Sequence, residues 1–314
     1  MRKVLFIDIV HPLIREELTG MGFHCDEFPG YGRREYEAVA SEYYGIVIRS
    51  KIKLDKEFLD KATQLKFIGR VGSGLENIDV DYAEGLGICC LNSPEGNRDA
   101  VGEHALGMLL ALMNNICRAG NEVRQGKWIR EGNRGIEIKA KTVGIIGYGN
   151  MGSAFAQRLR GFEANVIAYD KYKSGYGDEF VRESTMEELW AKSDIVSLHL
   201  PLTGETRYLA GEAFFRKFSR EIFFLNTSRG QVVDTSALVR ALKEGKVKGA
   251  ALDVLEFEDS SFEALSKDFT ADFRYLLESD HVLLTPHIAG WTMESNVKLA
   301  SVLVEKIRRF GIAG

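Results

Sequence analysis

Short apolar runs alternate with amphipathic stretches along almost the whole chain. Residues 4–9, 45–48, 65–69 and 88–91 read as buried strands, and 12–21, 33–42 and 55–62 as the helices between them. Such alternation predicts a parallel sheet with helices on both faces. A long helical stretch, 99–125, follows. Ala105, Leu106, Met108, Leu109, Leu110, Leu112 and Met113 make it apolar on nearly every side, which demands burial inside the protein or against another subunit. Part of it is expected to join two copies in a homodimer. The alternation then restarts, with six strands at 142–147, 165–170, 194–199, 222–226, 248–253 and 281–285. Helices start near Met151, Thr185, Gly211 and Asp234. Six strands in this order match a dinucleotide-binding unit. An amphipathic helix over 292–310 follows the last strand, and the two halves read as two similar sheets.

The sharpest local signal is Gly147-Tyr148-Gly149-Asn150-Met151-Gly152, which follows an apolar strand and opens a helix. That context turns a weak glycine pattern into a phosphate cradle. Gly147 permits the tight turn, Gly149 lets the backbone approach a pyrophosphate, and Gly152 lets helix and strand pack closely. The helix N-terminus offers N–H groups and partial positive charge to the phosphates. Asp170 ends the next strand. Its carboxylate suits the ribose hydroxyls and repels a 2′-phosphate, so NAD is favoured over NADP, with Lys171 next door a counterweight.

Composition narrows the classes. At 314 residues the chain exceeds what one core usually organises, so two domains are expected. A net charge of -4 gives no electrostatic case for nucleic acid or a membrane surface as partner. The four cysteines, Cys25, Cys89, Cys90 and Cys117, lack CxxC spacing and read as reduced thiols of a cytoplasmic protein. The first ten residues carry Asp8 and read as a strand rather than a signal peptide. The uncharged stretch 105–117 is shorter than the roughly 20 residues a membrane span needs. Asn226-Thr227-Ser228 fits a glycosylation acceptor but ends an apolar strand, and is discounted. His104 beside Glu103 lacks HExxH spacing, and no metal site is expected.

Three polar residues stand just past strand ends in the second half: Arg229, Glu258 and His287. Ligands of open parallel sheets bind at the carboxyl ends of strands. Oxidising an alcohol by hydride transfer needs a base for the hydroxyl proton, a carboxylate to orient that base, and a cation for the substrate carboxylate. The three residues supply these parts together. Singly, each has a plainer role: an ion pair, an acid in an acidic loop, a packed imidazole.

At this point the chain resembles the D-isomer-specific 2-hydroxyacid dehydrogenase family. The matching stretches include Arg49-Ser50, Arg70-Val71-Gly72-Ser73-Gly74, Gly147–Gly152, Ser197 to Thr203, Asn226 to Gly230 and Thr285-Pro286-His287. They run in family order over nearly the whole chain. The resemblance implies two Rossmann-like or flavodoxin-like domains of α/β class with the active site in the cleft between them. It implies a substrate domain of residues 1–97 plus 288–314 around an NAD domain of 98–287. It implies catalytic roles for Arg229, Glu258 and His287. Ser73, Asn150, Met151, Leu200, Thr227, Ser228 and Asp253 match positions that contact NAD. The Gly72-Ser73-Gly74 turn, Arg49 and Arg229 are the implied substrate contacts, the turn presenting backbone N–H groups to the carboxylate. His199 is expected to be structural, with backbone contact to NAD.

The sequence departs from the family at Asp259, where proline often follows the catalytic Glu, at Glu76 for Asp, and at Trp291 for a small residue. Ending at Gly314, it is expected to be a short-form member without a regulatory domain. Arg49, Arg70, Arg130 and Arg134 favour a phosphorylated acid, so D-3-phosphoglycerate is the leaning, with glyoxylate or hydroxypyruvate as the alternative. A NAD-sensing interaction protein of the corepressor type shares the same residues. Formate dehydrogenase is disfavoured, since the partner of its His is Gln.

Overall fold

Both faces of every central strand are greasy, and the side chains of consecutive residues go to different cores. The computed structural model describes residues 2–258 and 270–313. Its described residues fall into two units, 2–98 with 291–313 and 99–258 with 270–290. Asp259, one of the family departures, lies outside the described residues.

Unit 1 runs β1 (Lys3–Phe6), α1 (Pro12–Gly20), β2 (His24–Glu27), α2 (Arg33–Val39), β3 (Gly45–Ile48), α3 (Lys56–Lys61), β4 (Phe67–Arg70), α4 (Val80–Gly85) and β5 (Cys89–Leu91). The strands pair in parallel, in the order β2-β1-β3-β4-β5, the flavodoxin-like arrangement. Leu5 and Ile7 pack into one core with Ile46, Ile48 and Ile68, while Val4, Phe6, Val47 and Phe67 pack into the other. Such two-sided burial is what a parallel sheet requires. The second core is closed by Ala300, Leu303, Val304 and Ile307, which recur at helical spacing on the last helix. That spacing docks the C-terminal helix on the first sheet. The pattern missed β2, a short strand of residues His-Cys-Asp-Glu at the sheet edge, and α4.

The chain then passes into α5 (Arg98–Met113) and α6 (Ile116–Arg124). The single helix expected over 99–125 is therefore two. Asn115 takes φ 54°, a left-handed conformation that Asn tolerates better than most residues, and the helix breaks there. One face of α5 is buried through Val101, Ala105, Met108, Leu109 and Met113.

Unit 2 continues with β6 (Thr142–Ile146), α7 (Asn150–Arg158), β7 (Asn165–Tyr169), β8 (Val181–Glu183), α8 (Met186–Lys192), β9 (Ile195–Leu198), α9 (Glu212–Lys217), β10 (Ile222–Asn226), α10 (Thr235–Lys243), β11 (Val247–Leu252), α11 (Ala271–Glu278) and β12 (Val282–Leu284). Met293–Ala313 forms α12 of unit 1. Among the described residues the second sheet has seven strands, not six, ordered β12-β11-β10-β9-β6-β7-β8. Its core is the doubly wound dinucleotide-binding order, with the strand order reversing between β6 and β9. The unexpected seventh strand is β8, whose three residues include one buried side chain, Val181.

Candidate active site

At the reversal point β6 ends and the chain turns through Gly147 at φ 91°. A Cβ there would lie 2.4 Å from the His199 carbonyl oxygen, and one at Gly152 would lie 2.0 Å from that of Gly147. No side chain fits either place. A Cβ on Gly149 would meet nothing within 4 Å, so the space over that residue is open. The Ser153 hydroxyl donates to the Gly149 carbonyl at 2.7 Å and fastens the start of α7. Asn150 and Met151 fall in the first turn of α7, where backbone N–H groups lack helical partners. This geometry suits a pyrophosphate.

Asp170 follows β7. One carboxylate oxygen accepts the Tyr148 N–H at 2.8 Å; the other accepts those of Tyr172 and Lys173 at 3.0 and 3.1 Å. The carboxylate is thus fixed against the glycine turn, with lone-pair capacity remaining for hydroxyl donors. Lys171 is drawn away by Glu205, 2.7 Å from its ammonium.

In unit 2, among the described residues, two buried side-chain atoms just past the carboxyl ends of β9 and β10 have no hydrogen-bond partner: His199 Nδ1 and Thr227 Oγ1. Groups of this kind are rare unless a ligand or water completes them. With the open space at Gly149 and the fixed Asp170, they fit a dinucleotide. His199 Nε2 sits 2.8 Å from Ser197 Oγ, and burial pushes the imidazole down to about 3, which keeps it neutral. Leu200 lines the same turn, its Cδ2 3.0 Å from the position of a Gly147 Cβ.

The Arg229 turn is built by Asn226, a fully buried residue at the end of β10. Its side-chain oxygen accepts the Ser228 N–H at 3.0 Å and the Ser228 hydroxyl at 2.7 Å, and its amide donates to the Arg229 carbonyl at 3.0 Å. Both ends of the Asn226 amide are thus committed inside the turn. The Arg229 guanidinium donates to the Ser228 carbonyl at 2.7 Å. Directly after it, Gly230 lies so close to the Leu255 carbonyl that a Cβ would approach to 1.9 Å. The Arg229 turn and the loop carrying Glu258 are therefore packed backbone to backbone.

Glu258 and His287 meet: Glu258 Oε2 is 2.7 Å from His287 Nδ1. A carboxylate only accepts, so Nδ1–H donates, and in the neutral ring Nε2 carries the lone pair. The other Glu258 oxygen accepts the Leu255 N–H. His287 stands at φ 55°, an uncommon backbone state for a residue with a side chain. Its N–H donates to the Asp253 carbonyl at 2.8 Å and to that of Thr285 at 3.1 Å. The Asp253 carboxylate, 1% exposed, accepts the Thr285 hydroxyl at 2.6 Å and the N–H groups of Ile288 and Ala289 at 2.9 Å. It fastens the turn on both sides of His287.

In unit 1, the Ser73 hydroxyl donates to Asn97 Oδ1 at 2.7 Å, and Asn92 donates to the Ser73 carbonyl at 2.6 Å. The Gly72 N–H, expected to face an anion, is instead spent on Ser93 Oγ at 3.2 Å. The Arg49 guanidinium lies over the Trp291 ring, 4.4 Å from its centroid. Arg134 pairs with its neighbour Glu131 at 2.8 Å in an exposed bridge of little energetic weight. All four cysteines are free, and burial raises the Cys90 thiol to about 11, far from a reactive thiolate. Among the described residues no cluster of three His, Cys, Asp or Glu is placed to hold a metal, and no helix is long and apolar enough to cross a membrane.

Sequence reasoning did not single out Asn226, Thr285 or His104 as site residues. Asn226 sat inside a matched motif and could have been found there. Thr285 likewise opens the matched Thr285-Pro286-His287 stretch, whereas His104 meets Thr285 and Asp253 across sequence separations that no local pattern encodes.

Comparison with known proteins agrees with this geometry. The NAD binding domain of the D-isomer specific 2-hydroxyacid dehydrogenases matches residues 106–289. A D-3-phosphoglycerate dehydrogenase of Archaeoglobus fulgidus is 37% identical over 304 residues, 95% of this chain and 56% of that protein. A hydroxypyruvate reductase of Thermotoga maritima is 37% identical over 293 residues, 93% of this chain and 91% of that protein. The D-lactate dehydrogenase of Aquifex aeolicus, solved with NAD and lactic acid, superposes with a TM-score of 0.83 at 29% identity, over 99% of this chain and 96% of that one. The chain thus spans about half the length of the D-3-phosphoglycerate dehydrogenases it matches. It belongs to the D-isomer specific 2-hydroxyacid dehydrogenases, and unit 2 contains the family's NAD binding domain.

Proposed function

We propose that this chain is an NAD-dependent oxidoreductase that interconverts a D-2-hydroxy acid and its 2-keto acid. The observation that carries the reading is the 2.7 Å contact of Glu258 with His287, held in the same unit as the glycine cradle. NAD, when bound, supplies the hydride acceptor and donor. In oxidation, His287 Nε2 takes the proton of the substrate hydroxyl, and Glu258 at Nδ1 fixes the tautomer and stabilises the imidazolium. In reduction the charged His287 returns that proton to the keto oxygen. Arg229 holds the substrate carboxylate and polarises the C2 carbonyl. Arg49 and the Ser73–Gly74 part of the turn, whose neighbour Gly72 already donates its N–H to Ser93, are proposed as further substrate contacts. Gly147, Gly149, Gly152, Asn150, Met151, Asp170, Leu200, Thr227 and Ser228 are proposed to hold the cofactor. The division of labour is a substrate unit and a cofactor unit.

A phosphorylated acid, 3-phosphoglycerate, is the leading substrate, because a guanidinium such as that of Arg49 matches phosphate geometry. Hydroxypyruvate or glyoxylate is the second reading, favoured by the Thermotoga maritima relative that aligns over nearly its full length. The exposed Ile116, Val123 and Trp128, the last 80% exposed, support a homodimer through α6 and its approach from α5. Four free cysteines support a reducing cytoplasmic setting. A panel of 2-keto acids with NADH, followed by absorbance, tests the reading. Consumption with at least one of them is expected, and none with any of them would overturn it.

A further inference from the structure

His104 lies on α5 and was set aside in the sequence because it lacks metal-ligand spacing. In the fold, its Nε2 comes 3.1 Å from Thr285 Oγ1 and 3.5 Å from Asp253 Oδ1. Met108, one helical turn along α5, meets the same Thr285 hydroxyl through sulfur at 3.8 Å. The direction of the hydrogen bonds follows from counting protons. Thr285 has one hydroxyl proton, and the 2.6 Å contact to the Asp253 carboxylate claims it. The threonine oxygen can then only accept from the imidazole. His104 must carry its proton on Nε2 and donate.

The same carboxylate holds Ile288 and Ala289, the residues that follow His287, at 2.9 Å. His287 meanwhile keeps a positive φ that only its surroundings impose. From this chain of contacts we infer that His104 is a positioning residue for His287, acting through Thr285 and Asp253. His104 fixes the rotation of the carboxylate. The carboxylate fixes the backbone after His287, and that backbone aims the ring at Glu258. The inference deepens the dehydrogenase reading and rests on it for its kinetic consequence alone. Its structural content concerns ring tautomers in the cofactor-free protein.

Two measurements test it. Long-range proton–nitrogen NMR of the histidine rings, at a pH where they are neutral, should find His104 in the Nε2–H form and His287 in the Nδ1–H form. The alanine variant H104A should mix the His287 tautomers, and H104Q, which keeps an N–H donor near the Nε2 position, should restore the single form. In kinetics with the best 2-keto acid, H104A should lower kcat about 10-fold, as small misplacements of a reacting group do, without changing KM for NADH. H104Q should recover most of it. T285V, which removes the intervening hydroxyl, should reproduce the loss if H104A does not fold. Finding His104 as the Nδ1–H form would overturn the inference. So would unchanged kcat and His287 tautomer in H104A, or in T285V. If the parent turns over no 2-keto acid, the dehydrogenase reading falls while the tautomer result still decides this one.

Discussion

Nδ1 of His287 and Oε2 of Glu258 stand 2.7 Å apart, although 29 positions separate them in the chain. Each is anchored by other backbone: Glu258 by the Leu255 N–H, His287 by the carbonyls of Asp253 and Thr285. Neither side chain is more than a quarter exposed, at 12% for Glu258 and 24% for His287, so the pair works in partial shelter from water. There a charge contact is worth more than at an open surface.

Replacing Glu258 by Gln keeps a group of the same shape but removes the charge that stabilises the imidazolium. The kcat for keto-acid reduction should fall about 10- to 100-fold, less than the roughly 10²–10⁴-fold weight of the acid itself, because the imidazole remains. The dissociation constant for NADH, read by fluorescence, should stay within about twofold, because no phosphate or ribose contact is assigned to Glu258. Equal kcat in parent and variant would contradict the role.

Asp170 is fixed by three backbone N–H groups and Lys171 is engaged by Glu205, so the residues after β7 present a carboxylate. The parent should prefer NAD over NADP in kcat/KM. D170S should narrow the ratio by raising NADP use. A parent that prefers NADP would remove the basis for this assignment.

Gly230 touches the loop of Glu258 so closely that a methyl group must displace either the Arg229 turn or the loop. G230A should cost about 1–3 kcal/mol of stability, as overpacking does, visible as a lower Tm. It should also reduce kcat/KM more than NADH affinity, since it moves two groups proposed as catalytic, Arg229 and Glu258, at once. A folded G230A with parental Tm and kinetics would show that the contact carries no constraint.

Much of this fold was legible because parallel strands buried on both faces leave continuous apolar runs, as in Ile222–Asn226 and Gly45–Ile48. The pieces that escaped lack that signature. Val181–Glu183 pairs at an edge with one buried residue, and His24–Glu27 is a polar edge strand. The break at Asn115 interrupts a continuing apolar helical pattern, and its local signal is the Asn114-Asn115 pair of weak helix formers. At the site, Arg229, Glu258 and His287 announce themselves by chemistry at strand ends. His104 does not, because its partner Thr285 is 181 positions away and only the fold joins them.

His199 gives a pH dependence of stability. Folded, burial holds it down to about 3; unfolded, it returns to about 6.5. Between those values the unfolded chain binds a proton that the folded chain refuses, so stability falls as pH drops from about 6.5 toward about 3. Above that window His199 contributes no slope. Urea unfolding at stepped pH should show a shallower acid limb for H199Q than for the parent. Parallel limbs would mean that the imidazole is charged in the fold.

The central claim is that His287 moves the substrate proton. The most direct measurement is the turnover number of H287A on the best 2-keto acid, taken beside NADH binding to the same sample. Loss of the proton donor should cut kcat by about 10²–10⁴-fold, the usual weight of a general acid, while NADH binds as tightly as to the parent. Near-parental turnover by H287A would contradict the mechanism.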